Sequence, residues 1–230
     1  MDYAVIGDIH GANAQLAKVL DLVIPMKRRM LFLGDYVNRG PDSKEVLESL
    51  LCLSEAQPET VFLCGNHDWA VLEFLKTGDF YPYASLGGIS TIRSYCKEVS
   101  ADVAASFKAA IPARHVQFLT GLRSHFRTRE YLFSHTGIDV LRPTNDFQSF
   151  VLQNHPEMFS DAWELPYQLI CGHYFQPPSK PYLTPRLCCI DTGCGSASGR
   201  LTCLLLPERE YLQVDERLDV FDSRRLQDTV

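Results

Sequence analysis

The sequence contains no apolar run near the roughly 18 residues that a membrane-spanning helix needs. It has no Cys-x-x-Cys pair. Most of its eight cysteines lie inside apolar runs, which predicts reduced core cysteines rather than a zinc site. Basic residues are not in excess, since the formal net charge is -6. No charged and then apolar leader follows Met1. These absences argue against a membrane or a nucleic acid as the main partner, and they predict a cytoplasmic protein.

The composition that remains is typical of a globular protein. Hydrophobic residues make up 46% and charged residues 22% of the 230 residues. A chain of this length can bury most of its unfolded surface without disulfides or structural metals. We therefore predict one domain over residues 1–214. A charged tail over residues 215–230 is expected to form a terminal helix or to fray.

Short apolar runs rich in β-branched and aromatic residues recur along the chain and predict buried strands. They cover residues 3–7, 30–34, 60–65, 131–135, 168–172, 187–191 and 201–206. Helix-period stretches separate the early runs, and residues 80–128 also show a helical pattern. This alternation of strand and helix predicts an α/β domain with parallel strands.

Polar residues and glycines stand directly after five of the predicted strands. The side chains there are carboxylates, imidazoles and one amide, a mixture that suits divalent metal ions. Because the C-terminal ends of strands meet at one edge of an α/β sheet, we expect these side chains to form one site. They are Asp8, His10, Asp35, Asn66, His67, His135 and His173. The remaining histidines, His115, His125 and His155, are expected to have structural roles.

The segments at these strand ends resemble the motifs of the calcineurin-like metallophosphoesterases. Gly-Asp-Ile-His-Gly at 7–11, Gly-Asp-Tyr-Val-Asn-Arg-Gly at 34–40 and Gly-Asn-His-Asp at 65–68 are similar to the first three motifs. His135 and His173 match the last two. The similarity runs from Tyr3 to about Leu206, and it extends to bacterial PPP-type protein phosphatases and symmetrical dinucleoside tetraphosphatases. It implies a single-domain β-sandwich of mixed sheets flanked by helices, in an α/β/β/α arrangement.

The resemblance also implies a phosphoester hydrolase that depends on two adjacent divalent ions. Manganese is expected, with iron, zinc or cobalt as alternatives, and a metal-activated water would attack the phosphorus. Arg39, Asn66 and His67 would bind phosphoryl oxygens, and His67 would also protonate the leaving oxygen. The implied metal ligands are Asp8 and His10 for the first ion, Asp35 as a bridge, and Asn66, His135 and His173 for the second.

Asn38 departs from the family pattern, which has an aspartate here behind the proton-donating histidine. The resemblance implies that His67 and Arg39 are catalytic residues and that Asn38 is a third, placed behind His67. The amide oxygen of Asn38 can accept a hydrogen bond from His67 but supplies no charge. Pro41 and Asp68 resemble the tetraphosphatases, which favours a nucleotide or pyrophosphate substrate. The leading prediction is nevertheless a PPP-type phosphatase-like hydrolase, with a dinucleoside tetraphosphate or small-molecule pyrophosphate hydrolase as the alternative. Three substrate classes stay open: a phosphoprotein, a dinucleoside polyphosphate, and the phosphate or pyrophosphate group of a small metabolite. The alternative of another class is a metal-binding module whose catalysis is weakened by Asn38.

Overall fold

The predicted apolar runs form strands of two sheets in the computed structural model of the chain, which describes residues 1–98, 100–160, 162–176 and 180–226. The strands are β1 (Tyr3–Ile6), β2 (Arg29–Phe32), β3 (Val61–Phe62), β4 (His125–Arg127), β5 (Tyr131–Ser134), β6 (Gln168–Cys171), β7 (Tyr182–Leu183), β8 (Leu187–Cys189), β9 (Arg200–Leu206), β10 (Glu210–Asp215) and β11 (Val220–Asp222). The α-helices are α1 (Asn13–Val23), α2 (Ser43–Ala56), α3 (Asn66–Thr77), α4 (Phe80–Ser85), α5 (Gly88–Tyr95), α6 (Val103–Ala110), α7 (Ala113–Thr120), α8 (Phe147–Val151) and α9 (Ser223–Leu226).

The first sheet has the strand order β11-β10-β9-β1-β2-β3. Near its centre, β1 pairs parallel with β2 and antiparallel with β9. All four residues of β1 are buried, as expected for a strand that is covered on both faces. Because β2 also pairs parallel with β3, the C-terminal ends of these three strands lie side by side.

The second sheet has the strand order β4-β5-β6-β8-β7. Its central strands β5, β6 and β8 run parallel, while β4 and β7 pair antiparallel at the two edges. All four residues of β5 and all three of β8 are buried. Both sheets therefore contain parallel and antiparallel pairs, as the prediction of mixed sheets requires.

The two sheets pack face to face on an apolar layer. Val5, Leu31 and Leu204 of the first sheet share one buried cluster with Phe133 and Ile170 of the second. Burial of each such side chain stabilises the fold by roughly 1.5–3 kcal/mol. Further clusters join α1 and α2 to the outer face of the first sheet, and α8 to the outer face of the second. The layers are therefore α/β/β/α, which confirms the predicted fold class.

Helices α4 to α7 fill most of the predicted helical stretch at 80–128, but the last of them ends at Thr120. The segment His125–Arg127 forms β4 instead, because the chain joins the second sheet there beside β5. Gly87 directly precedes α5 and Pro112 directly precedes α7. The start of α5 lies against the loop after β2, where the backbone N–H of Arg39 donates to the carbonyl oxygen of Gly87 at 3.2 Å.

The C-terminal tail, predicted over residues 215–230 as a helix or a frayed end, begins instead with a turn and a strand. The Asp215 carboxylate accepts two backbone N–H groups of the loop that follows, at 2.9 Å each, and so closes a tight turn. The chain then returns as β11, which pairs antiparallel with β10, before the short helix α9. Residues 227–230 of the predicted tail lie outside the described residues.

All eight cysteines are free thiols, as predicted for reduced cysteines. Seven of them are buried, and Cys52 is exposed. Burial raises the pKa of the Cys188 and Cys203 thiols to about 12, so both are protonated at neutral pH. None of the described helices combines the length and the apolar character needed to cross a bilayer.

Candidate metal centre

The ends of five strands converge on one cluster of polar side chains. The first sheet supplies the ends of β1, β2 and β3, and the second sheet supplies those of β5 and β6. In chain order, these ends carry Asp8, His10, Asp35, Asn66, His135 and His173. Backbone hydrogen bonds join neighbouring ends: the N–H groups of Ile9 and His10 donate to the Asp35 carbonyl oxygen at 3.0 and 2.9 Å. The structure thus brings the predicted residues to one edge of the sandwich.

Asp35 lies at the centre of this cluster. Its Oδ2 atom is 3.6 Å from His10 Nε2, 3.3 Å from His135 Nε2 and 3.9 Å from His67 Nε2. Burial alone would raise the pKa of Asp35, but the facing histidines outweigh burial and hold that pKa well below its usual value. An ionised carboxylate between imidazoles has the chemistry of a ligand that bridges two cations.

His10 carries a buried nitrogen that lacks a partner. Its Nδ1 lies 3.0 Å from the carbonyl oxygen of Val37, which can only accept, so Nδ1 carries the proton. Its Nε2 is buried without a hydrogen-bond partner among the described residues. Burial lowers the pKa of His10 to about 3, so the ring is neutral at pH 7. An unsatisfied buried acceptor costs about 1–3 kcal/mol, and a metal ion would satisfy it.

Asn66, His135 and His173 form a second group beside Asp35. Asn66 Oδ1 is 3.0 Å from His135 Nε2 and 3.0 Å from His173 Nδ1. The other ring nitrogens are held from outside: His135 Nδ1 lies 3.1 Å from the Leu33 carbonyl oxygen, and His173 Nε2 lies 2.6 Å from Asn154 Oδ1. Each ring thus has one nitrogen bound to an outside acceptor and one directed into the group. Metal-ligating histidines commonly show this arrangement.

Two sets of potential ligand atoms lie within 4.8 Å of one another among the described residues. They are His10, Asp35 and His67, and Asp35, His135 and His173. Asp8 belongs to neither set, although its carboxylate accepts the backbone N–H of His173 at 3.1 Å. Burial and the neighbouring Asp191 raise the pKa of Asp8 well above its usual value, and a cation beside it would favour ionisation. The role of Asp8 as a ligand stays a prediction.

Protonation differs between the two histidines of the second group. Burial opposes a charge on His135, yet the Asp35 carboxylate outweighs burial and raises the pKa of His135 to about 10. Burial, reinforced by His135, lowers the pKa of His173 to about 4. A cation that binds here must therefore displace a proton from His135, which couples binding to pH.

His67 and Arg39 lie beside the metal-ligand candidates. Arg39 is exposed, and its Nη2 is 3.4 Å from His67 Nε2. His67 is buried, and burial lowers its pKa. A guanidinium next to an imidazole donor is well suited to phosphate oxygens, because its planar fork of N–H groups matches them.

Asn38 lies behind His67, as the motif spacing predicts, but it presents the opposite end of its amide. Its Oδ1 accepts hydrogen bonds from the Tyr83 hydroxyl at 3.0 Å and the Thr91 hydroxyl at 2.8 Å. The amide nitrogen Nδ2 faces His67 Nδ1 at 3.0 Å. An amide nitrogen only donates, and so does the Arg39 guanidinium that faces His67 Nε2 at 3.4 Å, so a neutral His67 ring can accept only one of these two contacts. In this arrangement the Asn38 oxygen faces Tyr83 and Thr91 and not His67, so the expected hydrogen bond from His67 to that oxygen stays a prediction.

Backbone strain is concentrated at the site. Nine described residues other than glycine have a positive φ, and five of them are predicted site residues. These five are His10, Asp35, Asn38, Arg39 and His173. Such conformations cost on the order of 1–3 kcal/mol each. Close approach of the loops leaves no room for two side chains: a Cβ on Gly65 would collide with the Asp35 carboxylate, and one on Gly172 with that of Asp8.

Asp68 holds the ends of β2 and β3 together. Its carboxylate accepts the backbone N–H groups of Asp35 at 2.7 Å, Tyr36 at 2.9 Å and Gly65 at 2.9 Å. Burial and the neighbouring Asp35 raise the pKa of Asp68 to about 7, while the backbone hydrogen bonds favour its ionised form. The sequence analysis used Asp68 only as an indication of the substrate, whereas the structure gives it a positioning role.

Four further residues belong to the site although the sequence analysis assigned them no role. They are Tyr83, Thr91, Asn154 and Asp191. Asp191 follows β8 by two residues, so the rule that located the other strand-end ligands could have found it. Tyr83 and Thr91 lie on α4 and α5, and Asn154 lies in the loop after α8. Nothing in their local sequence distinguishes them from other helix or loop residues.

The sequence model of the calcineurin-like phosphoesterase family matches residues 1–214. The chain belongs to this family. The asymmetrical bis(5'-nucleosyl)-tetraphosphatase PrpE of Halalkalibacterium halodurans is 26% identical over 249 residues, covering 94% of this chain and 95% of that protein. The symmetrical bis(5'-nucleosyl)-tetraphosphatase of Methylococcus capsulatus is 44% identical over 69 residues, 29% of this chain and 24% of that protein. A solved structure provisionally assigned as a diadenosine tetraphosphatase has a TM-score of 0.67 and 21% identity, over 93% of both chains.

Membership in the calcineurin-like phosphoesterases confirms the predicted family and the prediction of a metal-dependent hydrolase of phosphoric esters or anhydrides. The comparisons also differ in how much of the chain each tetraphosphatase matches. The symmetrical tetraphosphatase matches this phosphoesterase over a short segment, whereas the asymmetrical enzyme matches nearly the whole chain. The likeness to the solved structure extends over the same two-sheet fold.

Proposed function

We propose that this protein is a dinuclear-metal phosphohydrolase that cleaves a phosphoanhydride bond of a dinucleoside tetraphosphate. The position of Asp35 carries the proposal: its Oδ2 faces His10 at 3.6 Å and His135 at 3.3 Å. A carboxylate between imidazoles delivered by different sheets has the donor set of a bridging ligand. The similarity to an asymmetrical tetraphosphatase over 94% of the chain supports the substrate class.

Divalent cations would bind on either side of Asp35. The proposed ligands are Asp8 and His10 for the first cation and Asn66, His135 and His173 for the second. The unpartnered Nε2 of His10 supports this assignment. When bound, the cations supply a water of lowered pKa and neutralise charge on the transferred phosphoryl group. We propose manganese, because oxygen ligands with imidazoles suit it; iron, zinc and cobalt compete through availability.

Arg39, Asn66 and His67 are the proposed phosphate-binding residues. Arg39 Nη2 and His67 Nε2 are 3.4 Å apart, so one phosphoryl group can accept hydrogen bonds from both. A water oxygen would bond to the phosphorus and give up a proton to solvent as the bridging P–O bond breaks. The leaving phosphate oxygen would keep the bonding electron pair and receive a hydrogen bond from His67. A leaving nucleotide phosphate is stable as an anion and needs little protonation. Such a substrate tolerates the uncharged Asn38 behind His67.

A substrate panel with added Mn²⁺ tests the proposal. It contains diadenosine tetraphosphate, a phosphopeptide, an alkyl pyrophosphate and p-nitrophenyl phosphate, and Asp35→Asn serves as the inactive control. We expect the highest kcat/KM on diadenosine tetraphosphate, with ATP and AMP as products. Two ADP molecules would contradict asymmetrical cleavage. A higher kcat/KM on the phosphopeptide would overturn the substrate class in favour of a phosphoprotein.

The predicted alternative of another class, a metal-binding module with weakened catalysis, is decided by the same assay. Turnover of p-nitrophenyl phosphate that depends on Mn²⁺ and is lost in Asp35→Asn would exclude the module. Tight binding of Mn²⁺ without turnover of any panel member would favour it. The cytoplasmic location stays a prediction.

A further inference from the structure

Phe175 differs from the other exposed apolar side chains in its position in the chain. Two exposed aromatic rings occur among the described residues, Tyr81 at 85% and Phe175 at 54% relative exposure. Phe175 follows the metal-ligand candidate His173 by two residues. Its neighbour Tyr174 is half-buried, and the Tyr174 hydroxyl donates to the Thr136 carbonyl oxygen at 3.1 Å. The chain therefore turns one aromatic ring into the protein and leaves the next ring in contact with water.

A loop with two glycines connects the Phe175 ring to the other side of the metal centre. A Cβ on Gly193 would collide with the ring, so the ring lies directly against the backbone of this loop. Two residues later, a Cβ on Gly195 would collide with His10, a proposed ligand of the first cation. Phe175 thus joins the segment that carries His173 to the loop that packs on His10, which places its ring at the rim of the cluster.

The buried part of the site is suited to phosphoryl groups and not to a nucleobase. The candidate ligand atoms of each set lie within 4.8 Å of one another, and His10, Asp35 and His135 are at most 2% exposed. Cations held there would attract phosphoryl oxygens, but the cluster offers no exposed apolar face to a base. The base of a bound nucleotide must therefore lie outside the cluster, on the rim.

We propose that Phe175 is a substrate-binding residue that stacks on a nucleobase of the substrate. The proposal rests on the function proposed above, and it names the group that distinguishes a nucleotide from other phosphate compounds, a planar aromatic base. Because every base has a π-face, such stacking favours nucleotides without selecting one base. Gly193 covers part of the Phe175 ring, and the exposed remainder is available to the ligand. An alkyl pyrophosphate has no ring and cannot make this contact.

A tryptophan at position 175 provides a direct test that needs no turnover. Phe175→Trp would be loaded with zinc, a diamagnetic ion, and titrated with AMP, one of the expected products. Stacking on adenine should quench the added fluorescence saturably, relative to the same titration of the unmodified protein. Ribose 5-phosphate, which has the sugar and the phosphate but no base, should not quench it. Absence of quenching by AMP, or equal quenching by ribose 5-phosphate, would overturn the proposal.

Loss of the aromatic face should act on KM rather than on kcat. Phe175→Leu keeps an apolar side chain against Gly193 but cannot stack. Its kcat/KM on diadenosine tetraphosphate should fall about 10–100-fold through KM, the usual range for losing one stacked base. Its kcat/KM on an alkyl pyrophosphate should stay unchanged, and Phe175→Tyr, which retains a ring, should restore the KM for the tetraphosphate.

Two kinetic results would contradict stacking by Phe175. An unchanged KM for the tetraphosphate in Phe175→Leu would show that the ring does not bind the base. An equal loss of kcat/KM on the tetraphosphate and the alkyl pyrophosphate would show that the ring supports the site and not the base.

Tyr81→Leu is the matched control, because Tyr81 is the other exposed aromatic residue and lies on α4 beside Phe80. It should leave KM and kcat unchanged on both substrates. A similar rise of KM in Tyr81→Leu would contradict a specific role of Phe175. If no nucleotide of the panel is cleaved, the proposed function fails, whereas the AMP titration of Phe175→Trp still decides this inference.

Discussion

His10 and His135 direct Nδ1 at backbone carbonyl oxygens, of Val37 and Leu33 respectively, and we call them the carbonyl-partnered pair. Both rings are completely buried. Because the strand-end backbone fixes them, no single side-chain substitution outside the rings removes their partner. Their orientation belongs to the fold itself, and it leaves both Nε2 atoms directed at Asp35.

His67 and His173 are held instead by side-chain amides, and we call them the amide-partnered pair. Asn38 donates to Nδ1 of His67, whereas Asn154 accepts from Nε2 of His173. Both contacts are compatible with the same neutral tautomer, which carries its proton on Nε2: Nδ1 accepts in His67, and Nε2 donates in His173. The difference teaches that the backbone orients two of the proposed metal ligands, whereas exchangeable side chains orient His173, a further proposed ligand, and His67, the proposed proton donor.

The largest effect is expected at Asp35, the residue that faces both pairs. Asp35→Asn keeps an oxygen for the backbone N–H of His67 but removes the charge between the cations. Several kcal/mol of transition-state stabilisation should be lost, which corresponds to about a thousandfold or more in kcat/KM. Elemental analysis should show loss of metal as well. Asp21→Asn, at an exposed position on α1, is the matched control and should retain both properties. Full metal content in Asp35→Asn would contradict a bridging role.

The next largest effect distinguishes His67, the proposed proton donor, from His10, a proposed metal ligand. His67→Asn should lower turnover by roughly 10²–10⁴ while leaving metal content intact, because His67 acts on the leaving oxygen. His10→Asn should lose metal and activity together, since the free Nε2 of His10 disappears. The comparison requires metal analysis and kinetics on the same preparations. Metal loss in His67→Asn would place His67 among the ligands and contradict its role as the proton donor.

The backbone-determined part of the site was predictable from the sequence. Asp8, His10, Asp35, His135 and His173 each follow a short apolar run, and parallel strands must end at a common edge. The sandwich itself followed from the motif resemblance, since strand runs alone predict a parallel sheet but not its division into two. Fold and candidate ligands were therefore accessible because they depend on local pattern and strand polarity.

The side-chain-determined part was not predictable. Tyr83, Thr91 and Asn154 reach the site from helices and a loop whose placement depends on tertiary packing. The Asn38 amide contacts hydroxyl groups that lie 45 and 53 residues away in sequence. The turn at Asp215 was missed for a related reason, because a charged segment can pair as an edge strand once a neighbouring strand is available.

Asn154 offers a smaller test of the amide-partnered pair. Asn154→Ala removes the acceptor 2.6 Å from His173 Nε2, so the ring loses its orientation but keeps its ligand nitrogen. We expect the Mn²⁺ affinity of one of the two proposed cation sites to fall about 10–100-fold, while the affinity of the other site stays unchanged. Calorimetric titration with Mn²⁺ measures this. Gln153→Ala, at the neighbouring exposed position, is the control. An equal loss of Mn²⁺ affinity at both sites would show that Asn154 does not act through His173.

The smallest and most selective effect is expected from Asn38→Asp, which changes one partner of the amide-partnered pair into a carboxylate. One carboxylate oxygen can still accept hydrogen bonds from Tyr83 and Thr91, while the other accepts a hydrogen bond from His67 Nδ1–H. Burial lowers the pKa of His67 in the present protein. A carboxylate beside the ring favours the charged form and raises that pKa.

A rise of about one unit would increase the protonated fraction of His67 roughly tenfold at pH values well above its pKa. An alkyl phosphate has a poor leaving group and needs that proton, so its turnover should increase and the alkaline limb of its pH–rate profile should move to higher pH. A nitrophenyl phosphate or a dinucleoside tetraphosphate releases a stable anion and should gain little. The ratio of kcat values for alkyl and nitrophenyl substrates, measured across pH in Asn38→Asp and in the unmodified protein, isolates this effect. If the ratio of the two kcat values is the same in Asn38→Asp and in the unmodified protein, the side chain at position 38 does not govern proton donation by His67.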